Sequence, residues 1–420
     1  MKKLLEKNLF TILTQFLIIV LPFYVLLAVF FSQIVGISNA WFFIKEFIIV
    51  LLVISLIYEF IKNNKKPKFD TIDYLIFWYI FYWIVITFIN WLWLDSVFYW
   101  WRYDFIFFVV FLIYKHWNEF LKVKTNDLVK LLLISGWLSL MLSIMIKFRL
   151  WEQALISFWF TDYVSNWTFN WKIPSYHGLE NSGIKRFQWI FDGPNQMAFY
   201  LIFFTSMLMH SLKKKFEYHI VLVLIFIFIL LFLTYSRSAL LWVITGSGLL
   251  VLMNIKTIYE KHKKIFINVI TAILIITGLW LMIFSDRVYN IFFRTSSTTG
   301  HFDRMEIWID RFLEKPLWAW LAESGPAYRN IYPDKQTKVD EQYYIPESWF
   351  IQQLVEWWIL YFLLFISIFV NILNRMYTNS KSLFVWIIAI LVMNVFLHIF
   401  EATYLSVLLF IFVWLIYNKK

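Results

Sequence analysis

The chain contains no cysteine, only 10 glycines in 420 residues, and only 15% charged residues. The absence of cysteine excludes disulfides, a thiolate nucleophile and cysteine-ligated metal centres. The scarcity of charge argues against a soluble protein, because 61% of the residues are hydrophobic and no soluble core buries so much apolar surface. A lipid bilayer solvates such a chain, so the composition indicates an integral membrane protein.

The formal net charge of +11 does not indicate nucleic-acid binding. The basic residues form no basic domain and lie between the hydrophobic runs instead, which is the pattern of the positive-inside rule. We therefore expect no nucleic-acid partner. The charges predict contact with anionic membrane lipid.

The hydrophobic runs predict an all-α, polytopic membrane protein that forms one domain over residues 1–420. Each crossing needs about 20 apolar residues, and about 12 runs qualify. The candidate spans are 9–32, 41–61, 73–93, 97–114, 127–148, 196–211, 217–234, 238–254, 265–284, 349–373, 382–398 and 402–417. When these spans alternate, the lysine clusters in the connections all fall on one side, so both termini are predicted to be cytoplasmic.

The opposite side receives two sizeable loops, 149–195 and 285–348, and most of the arginine. The arginines at or beyond this outer boundary are Arg102, Arg149, Arg186, Arg237, Arg287, Arg294, Arg304, Arg311 and Arg329. Guanidinium groups bind phosphate in a bidentate manner, so this bias favours a phosphate-bearing substrate at the outer leaflet. The alternative is that individual arginines pair with loop carboxylates such as Asp192, Asp303 or Asp310.

The segment 234–241, TYSRSALL, joins two hydrophobic runs on the outer side. An arginine placed there is costly in lipid unless it faces water or a partner, so Arg237 is a candidate functional residue. The alternative is an interfacial anchor that extends toward the lipid headgroups. Ser236 and Ser238 fit either a helix cap or a phosphate contact at a helix N-terminus.

A second segment, KRFQWIFDGPNQMAFYL, precedes the sixth predicted span. Its Asp192–Asn195 portion is typical of a turn followed by a helix start. Turn chemistry does not account for Arg186, which we therefore count with Asn195 as a candidate for substrate binding.

The large outer loop contains apolar residues at helical spacing over 303–313, which predicts an amphipathic helix on the bilayer surface. Arg304 and Arg311 lie on its adjoining polar face. Glu347 follows Pro346 where the next span begins, and its carboxylate suits either a general base or an acid favoured by the helix dipole.

No metal-binding or cofactor-binding pattern is present in the sequence. The seven histidines are scattered, and HExxH, DxD and P-loop motifs are absent. His301 lies on the predicted outer side close to Arg304 in sequence, which makes it the histidine with the best claim to a catalytic role. We expect a protein without metal or cofactor.

Tryptophan outnumbers glycine by 24 to 10, the reverse of ordinary usage. One hypothesis is an aromatic-rich membrane protein with interfacial tryptophan belts. The other is translation with the wrong codon table, since some bacterial lineages read UGA as glycine and others read it as tryptophan.

In order along the chain, these segments resemble the O-antigen ligase and polymerase family of bacterial envelope glycosyltransferases. Ser236-Arg237 matches the family's SR motif, and Arg186 with Pro194-Asn195 matches its earlier R…PN segment. In the large loop, the matching elements are Arg304…Trp308, Pro316-Leu317 and Glu347-Ser348. The resemblance extends from about Arg102 to the end of the chain, and residues 232–373 are most like the ligase domain.

The departures from the family pattern concern glycine and the base. Trp318 and Trp320 stand where the family turn has glycine, and Trp357 or Trp358 and Trp189 occupy comparable positions. Because indoles cannot replace glycine where the φ angle is positive or backbones touch, these positions favour the reassigned codon. Family ligases often carry histidine near Glu347-Ser348, so the identity of the base and the choice between ligase and polymerase stay open.

The resemblance implies transfer of a glycan from an undecaprenyl-diphosphate carrier to a glycan or lipid acceptor, in the bacterial inner membrane. It suggests Arg237, Arg304, Glu347 and His301 as catalytic residues and Arg186, Asn195, Ser236, Arg102 and Arg311 as substrate-binding residues. A flippase for the same lipid-linked glycan is the competing hypothesis, although the repeats and broken midplane helices of transporters are not evident. A non-catalytic envelope scaffold is a third possibility.

Overall fold

The described part of the chain is all-helical, as the sequence predicted. In the computed structural model it comprises residues 9–34, 43–89, 101–117, 120, 125–145, 176–178, 185–188, 190–211, 218–243, 245–246, 248–249, 252–253, 295–314 and 346–417. Its only β feature is an isolated antiparallel bridge between Gly178 and Lys185.

The helices follow the hydrophobic runs closely. Their bounds are α1 Leu9–Val20, α2 Tyr24–Ile34, α3 Ile44–Lys62, α4 Thr71–Ile89, α5 Ile106–Trp117, α6 Thr125–Met145, α7 Pro194–Ser211, α8 Tyr218–Leu233, α9 Thr295–Glu314, α10 Trp349–Asn379, α11 Lys381–Val395 and α12 Thr403–Tyr417. A short 3-10 turn, Leu21–Phe23, joins α1 to α2 at Pro22, and another, Ile399–Glu401, precedes α12.

Within the described residues, four helical stretches are long and apolar enough to cross a membrane. They are Leu9–Phe31, Thr71–Ile89, Asn126–Met145 and Ile359–Asn379. Most other predicted spans coincide with apolar helices, several of which are shorter than a full crossing. Residues 238–254 are helical in the portions described. The predicted span 265–284 lies outside the described residues, so a total of about 12 crossings stays a prediction.

Helix α12 lies at the centre of the bundle. Its residues are buried from Thr403 to Trp414, and it packs against α5 and α10. The ring of Phe410 lies 4.9 Å from that of Phe107 on α5 and 6.1 Å from that of Phe369 on α10, measured between ring centroids. A helix that is apolar all round is suited to this interior position.

The close crossing of α6 and α7 depends on Gly136. A Cβ atom at this position would lie 2.5 Å from the ring of Phe204 and 2.8 Å from the hydroxyl of Tyr200. The two helices therefore approach where only a glycine fits, which is a common way of packing membrane helices.

Ion pairs join the end of α5 to the start of α4. Near the end of α5, Lys115 pairs with Asp73 of α4 and, at 2.7 Å, with Asp70. The Nε2 atom of His116 lies 2.9 Å from Asp73 Oδ1. The alternation of spans predicts all of these residues on the same side, so these contacts agree with the predicted order of crossings.

We expect Asp73→Asn to destabilise the folded protein by about 3 kcal/mol, because it leaves the nearly buried Lys115 and His116 without the carboxylate they share. Asp70→Asn is the matched control. Asp70 is 52% exposed, and an exposed ion pair contributes less than about 1 kcal/mol. Thermal unfolding in detergent micelles measures both changes. Equal losses for the two variants would contradict the importance of the buried pair.

Candidate active site

The turn between α8 and the following helix is built from the TYSR segment. Thr234 Oγ1 donates to the carbonyl of Leu231 at 2.6 Å, which ends α8. Tyr235 has a φ of 50°, a left-handed conformation that costs a non-glycine residue about 1–3 kcal/mol. The helix resumes at Arg237, so this partly buried side chain lies at a helix N-terminus, where anions are favoured.

Arg186 joins this turn to the turn formed by Asp192–Asn195, the DGPN turn. Its Nε donates to the carbonyl of Thr234 at 2.9 Å, and its terminal nitrogen donates to Asn195 Oδ1 at 3.3 Å and to the carbonyl of Tyr235 at 3.4 Å. The amide of Phe187 also donates to the carbonyl of Leu233 at 2.9 Å. The two segments that the sequence analysis treated separately therefore form one assembly.

Asp192 begins the DGPN turn and is tied to α12. The hydroxyl of Tyr404 donates to Asp192 Oδ1 at 2.7 Å. Burial raises the pKa of Asp192 to about 6, although the Tyr404 hydrogen bond and a backbone hydrogen bond act against it. The carboxyl group is thus protonated in mildly acidic solution.

This raised pKa predicts that the folded state loses stability as the pH rises. An unfolded aspartate titrates near pH 4, so the contribution of Asp192 is fully present below about pH 4 and is lost through about pH 6. We expect a difference of roughly 2 kcal/mol across this window, and Asp192→Asn should remove it. Melting temperatures between pH 4 and 7.5 measure the effect, with the exposed Asp303→Asn as control. An unchanged pH slope in Asp192→Asn would refute the assignment.

The predicted amphipathic helix is present within residues 285–348 and extends further than expected, over α9. Met305 and Trp308 are buried, and the guanidinium of Arg311 lies 4.6 Å from the ring centroid of Trp308. Phe302 and Leu313 are exposed. Arg311 is thus engaged in a cation–π contact on its own helix.

Glu347 receives two side chains from α9. Its Oε1 lies 2.6 Å from the terminal nitrogen of Arg304, and its Oε2 lies 2.8 Å from His301 Nδ1. Its φ of 58° is another left-handed conformation, and Ser348 next to it caps α10. Backbone strain of this kind is found preferentially at functional sites.

The charges around Glu347 keep it ionised. Burial acts to raise its pKa, but the hydrogen bond from His301 and the charges of His301, Arg304 and His398 outweigh it, so the net pKa is lowered. With both oxygens engaged and a lowered pKa, Glu347 is a weak proton acceptor.

His398 and Glu401, which the sequence analysis did not select, complete this group. His398 Nδ1 lies 2.9 Å from Glu401 Oε1, in the turn between α11 and α12. The amide of Trp349 donates to the carbonyl of Leu397 at 3.4 Å, which places this turn beside the start of α10. The same turn packs on α7, which carries Asn195. The only signal in the sequence is an HxxE spacing between two apolar runs.

Arg102 lies in a different group. Its Nε is 3.0 Å from Glu46 Oε1, and Glu46 also pairs with Lys45, with all three side chains buried. Ser236 Oγ lies 3.2 Å from Ser238 Oγ, next to Arg237. Among the described residues, no group of three or more histidine or acidic side chains is placed to hold a metal ion. Trp189, Trp318 and Trp320 lie outside the described residues, as do the side chains of Trp357 and Trp358.

Residues 222–366 match the family model described as O-antigen ligase. The matched stretch includes the TYSR turn, α9 and Glu347, whereas the segment with Arg186 lies outside it. No curated protein and no solved structure matches the chain significantly.

Proposed function

From the match of residues 222–366 to the O-antigen ligase family model, we propose that the chain is a member of the O-antigen ligase and polymerase family and transfers a glycan from undecaprenyl diphosphate to an acceptor hydroxyl. The reaction takes place at the outer leaflet of a bacterial inner membrane, with both termini in the cytoplasm. The acceptor is a growing glycan for a polymerase and a lipid for a ligase. The observation that carries the proposal is the meeting of Arg304, His301 and Glu347 on the family-matched segment.

The leaving diphosphate needs positive charge and hydrogen-bond donors, since charge accumulates on it as its bond to the sugar breaks. Arg237 supplies a guanidinium at a helix N-terminus, and Arg304 supplies another beside Glu347. Arg186 and Asn195 shape the turn that presents Arg237. Ser236, Arg102 and Arg311 are further proposed contacts for the donor. No metal ion or cofactor is required in this scheme.

Glu347 holds Arg304 and His301 in place, in the same way that a carboxylate orients the histidine of a catalytic triad. Of the two groups that the sequence suggested as the base, His301 is the better proton acceptor, because both oxygens of Glu347 are engaged.

The test uses the purified full-length protein in liposomes with an undecaprenyl-diphosphate-linked oligosaccharide, an acceptor glycan or lipid, and EDTA. We expect a new glycosidic product and release of undecaprenyl diphosphate. Movement of the intact carrier lipid across the bilayer without an acceptor, and without any product, would identify a flippase instead. Activity that disappears with EDTA and returns with a divalent cation would contradict the metal-free scheme.

A further inference from the structure

The turn between α11 and α12 contains a histidine–carboxylate pair that the proposed function leaves without a role. The side chains of His398 and Glu401 are only 9% and 14% exposed. The Oδ1 atom of Asn394 accepts hydrogen bonds from the amides of Ile399 at 3.1 Å and Phe400 at 3.3 Å, which fixes the turn. The imidazole ring is therefore held in one orientation by the fold.

The other edge of the ring is available to a ligand. His398 Nε2 is buried and has no hydrogen-bond partner in the described part of the chain. When Nδ1–H donates to Glu401, Nε2 carries the lone pair of a neutral imidazole. A buried acceptor without a donor is costly, and a hydroxyl group of a ligand would supply the missing hydrogen.

The turn that carries His398 lies beside the start of α10, next to Glu347. His398 is close enough to Glu347 for its charge to act on that carboxylate, and the backbone of Leu397 bonds to the start of α10. Among the described residues, the ionisable groups that interact with the ring are Glu401 and Glu347, and Glu347 in turn binds His301 and Arg304. The ring thus lies near Arg304, the cation that is proposed to hold the diphosphate.

We propose that His398, oriented by Glu401, is the base that removes the proton from the acceptor hydroxyl. The proposal rests on the transferase function and names its base. The O–H proton passes to His398 Nε2, and the oxygen attacks the anomeric carbon of the donor glycan. The bond between that carbon and the diphosphate oxygen breaks, its electron pair stays on undecaprenyl diphosphate, and the imidazolium later releases its proton to water.

The geometry favours His398 over the other two groups near the diphosphate. Both oxygens of Glu347 are bound, at 2.6 and 2.8 Å. The side chain of His301 is 31% exposed and shares its carboxylate with Arg304, so it forms part of the ionic group that holds Arg304. His398 has a carboxylate of its own and a buried ring nitrogen that no described residue contacts by a hydrogen bond.

The experiment compares His398→Asn, His301→Asn and Glu401→Gln in the liposome transfer assay, over pH 5 to 8.5. Binding of the lipid-linked donor is measured for each variant. We expect His398→Asn to bind the donor but to transfer about 100-fold or more slowly. We also expect it to lose the acid limb of the pH profile, which is the fall in transfer rate at low pH caused by protonation of the base. Glu401→Gln should keep the limb and move it to lower pH, since an amide cannot stabilise the protonated ring. His301→Asn should keep the limb in place.

The matched control is His116→Asn, which alters another histidine–carboxylate pair, 2.9 Å from Asp73, at the opposite end of the bundle. We expect it to change stability but not the pH profile. If His398→Asn does not fold, a Glu401→Gln variant whose acid limb stays at the wild-type pH is enough to overturn the proposal.

The proposal is also overturned if His301→Asn loses the acid limb while His398→Asn keeps it. That result leaves the transferase function standing. A wild-type protein that transfers no glycan to any acceptor overturns the proposed function itself.

Discussion

Arg237→Lys is expected to reduce glycan transfer by about 100-fold or more while the protein still inserts and folds. Loss of one preorganised donor aimed at developing negative charge costs a factor of about 100 to 1,000, and the leaving diphosphate develops such charge. Lysine keeps the positive charge but loses the planar fork that binds two phosphate oxygens together. The left-handed turn at Tyr235 and the contacts of Arg186 with that turn fix the backbone before residue 237. A backbone shift therefore cannot compensate for the different length and hydrogen-bonding geometry of a lysine side chain.

The measurement is the transfer rate of the variant in liposomes, with protein amount and folding checked by size-exclusion chromatography in detergent. Arg375→Lys is the control, because Arg375 is exposed near the end of α10 and is predicted on the cytoplasmic side. We expect this variant to transfer at the wild-type rate. A wild-type rate for Arg237→Lys would remove Arg237 from the catalytic residues.

The sequence could predict the helices and part of the site because both depend on local chemistry. Apolar runs and prolines determine where α7 and α10 begin, and an arginine between two apolar runs is costly wherever the chain folds. The contact between Arg186 and Thr234, residues far apart in the chain, depends on how α7 and α8 pack. No local pattern contains that information.

His398 and Glu401 illustrate the same limit more strongly. A histidine at the end of an apolar run is usually a core or interfacial residue, and its spacing to Glu401 fits a single turn of helix. What gives the pair a candidate role is its position beside Glu347, which the packing of the α11–α12 turn on the start of α10 creates. The sequence therefore supplied the residues of α9 and Glu347, and the fold supplied their neighbours.

The described tryptophans bear on the codon hypothesis. Buried indole N–H groups normally find an acceptor, because leaving one unpaired costs about 1–3 kcal/mol. Within the described residues, several buried indole nitrogens have no hydrogen-bond partner, namely those of Trp117, Trp242, Trp308, Trp349, Trp386 and Trp414. Such a set is unusual for genuine tryptophans and is what misread glycine codons would produce.

The contact between Trp242 and Trp386 shows how glycine would change helix packing. The rings of Trp242 and Trp386 stack with their centroids 4.4 Å apart, and a Cβ atom on Gly246 would lie 2.6 Å from the Trp386 ring. Trp242 and Gly246 are four residues apart, the spacing at which two small residues let membrane helices pack closely. With glycine at 242 and 386, the helix that follows the TYSR turn would approach α11 through a small-residue face instead of a pair of indoles.

We therefore expect the protein from its native host to carry glycine at Trp318, Trp320 and Trp242, as read by peptide mass spectrometry and matched to UGA codons. We also expect the variant with Trp318→Gly, Trp320→Gly and Trp242→Gly to transfer glycan faster than recombinant protein with tryptophan at these positions. The physical reason is that a turn requiring positive φ, and helices that touch through their backbones, have no room for an indole. If the native peptides contain tryptophan at all three positions, the codon explanation is wrong, and the turn at residues 316–320 has a geometry different from that of the family.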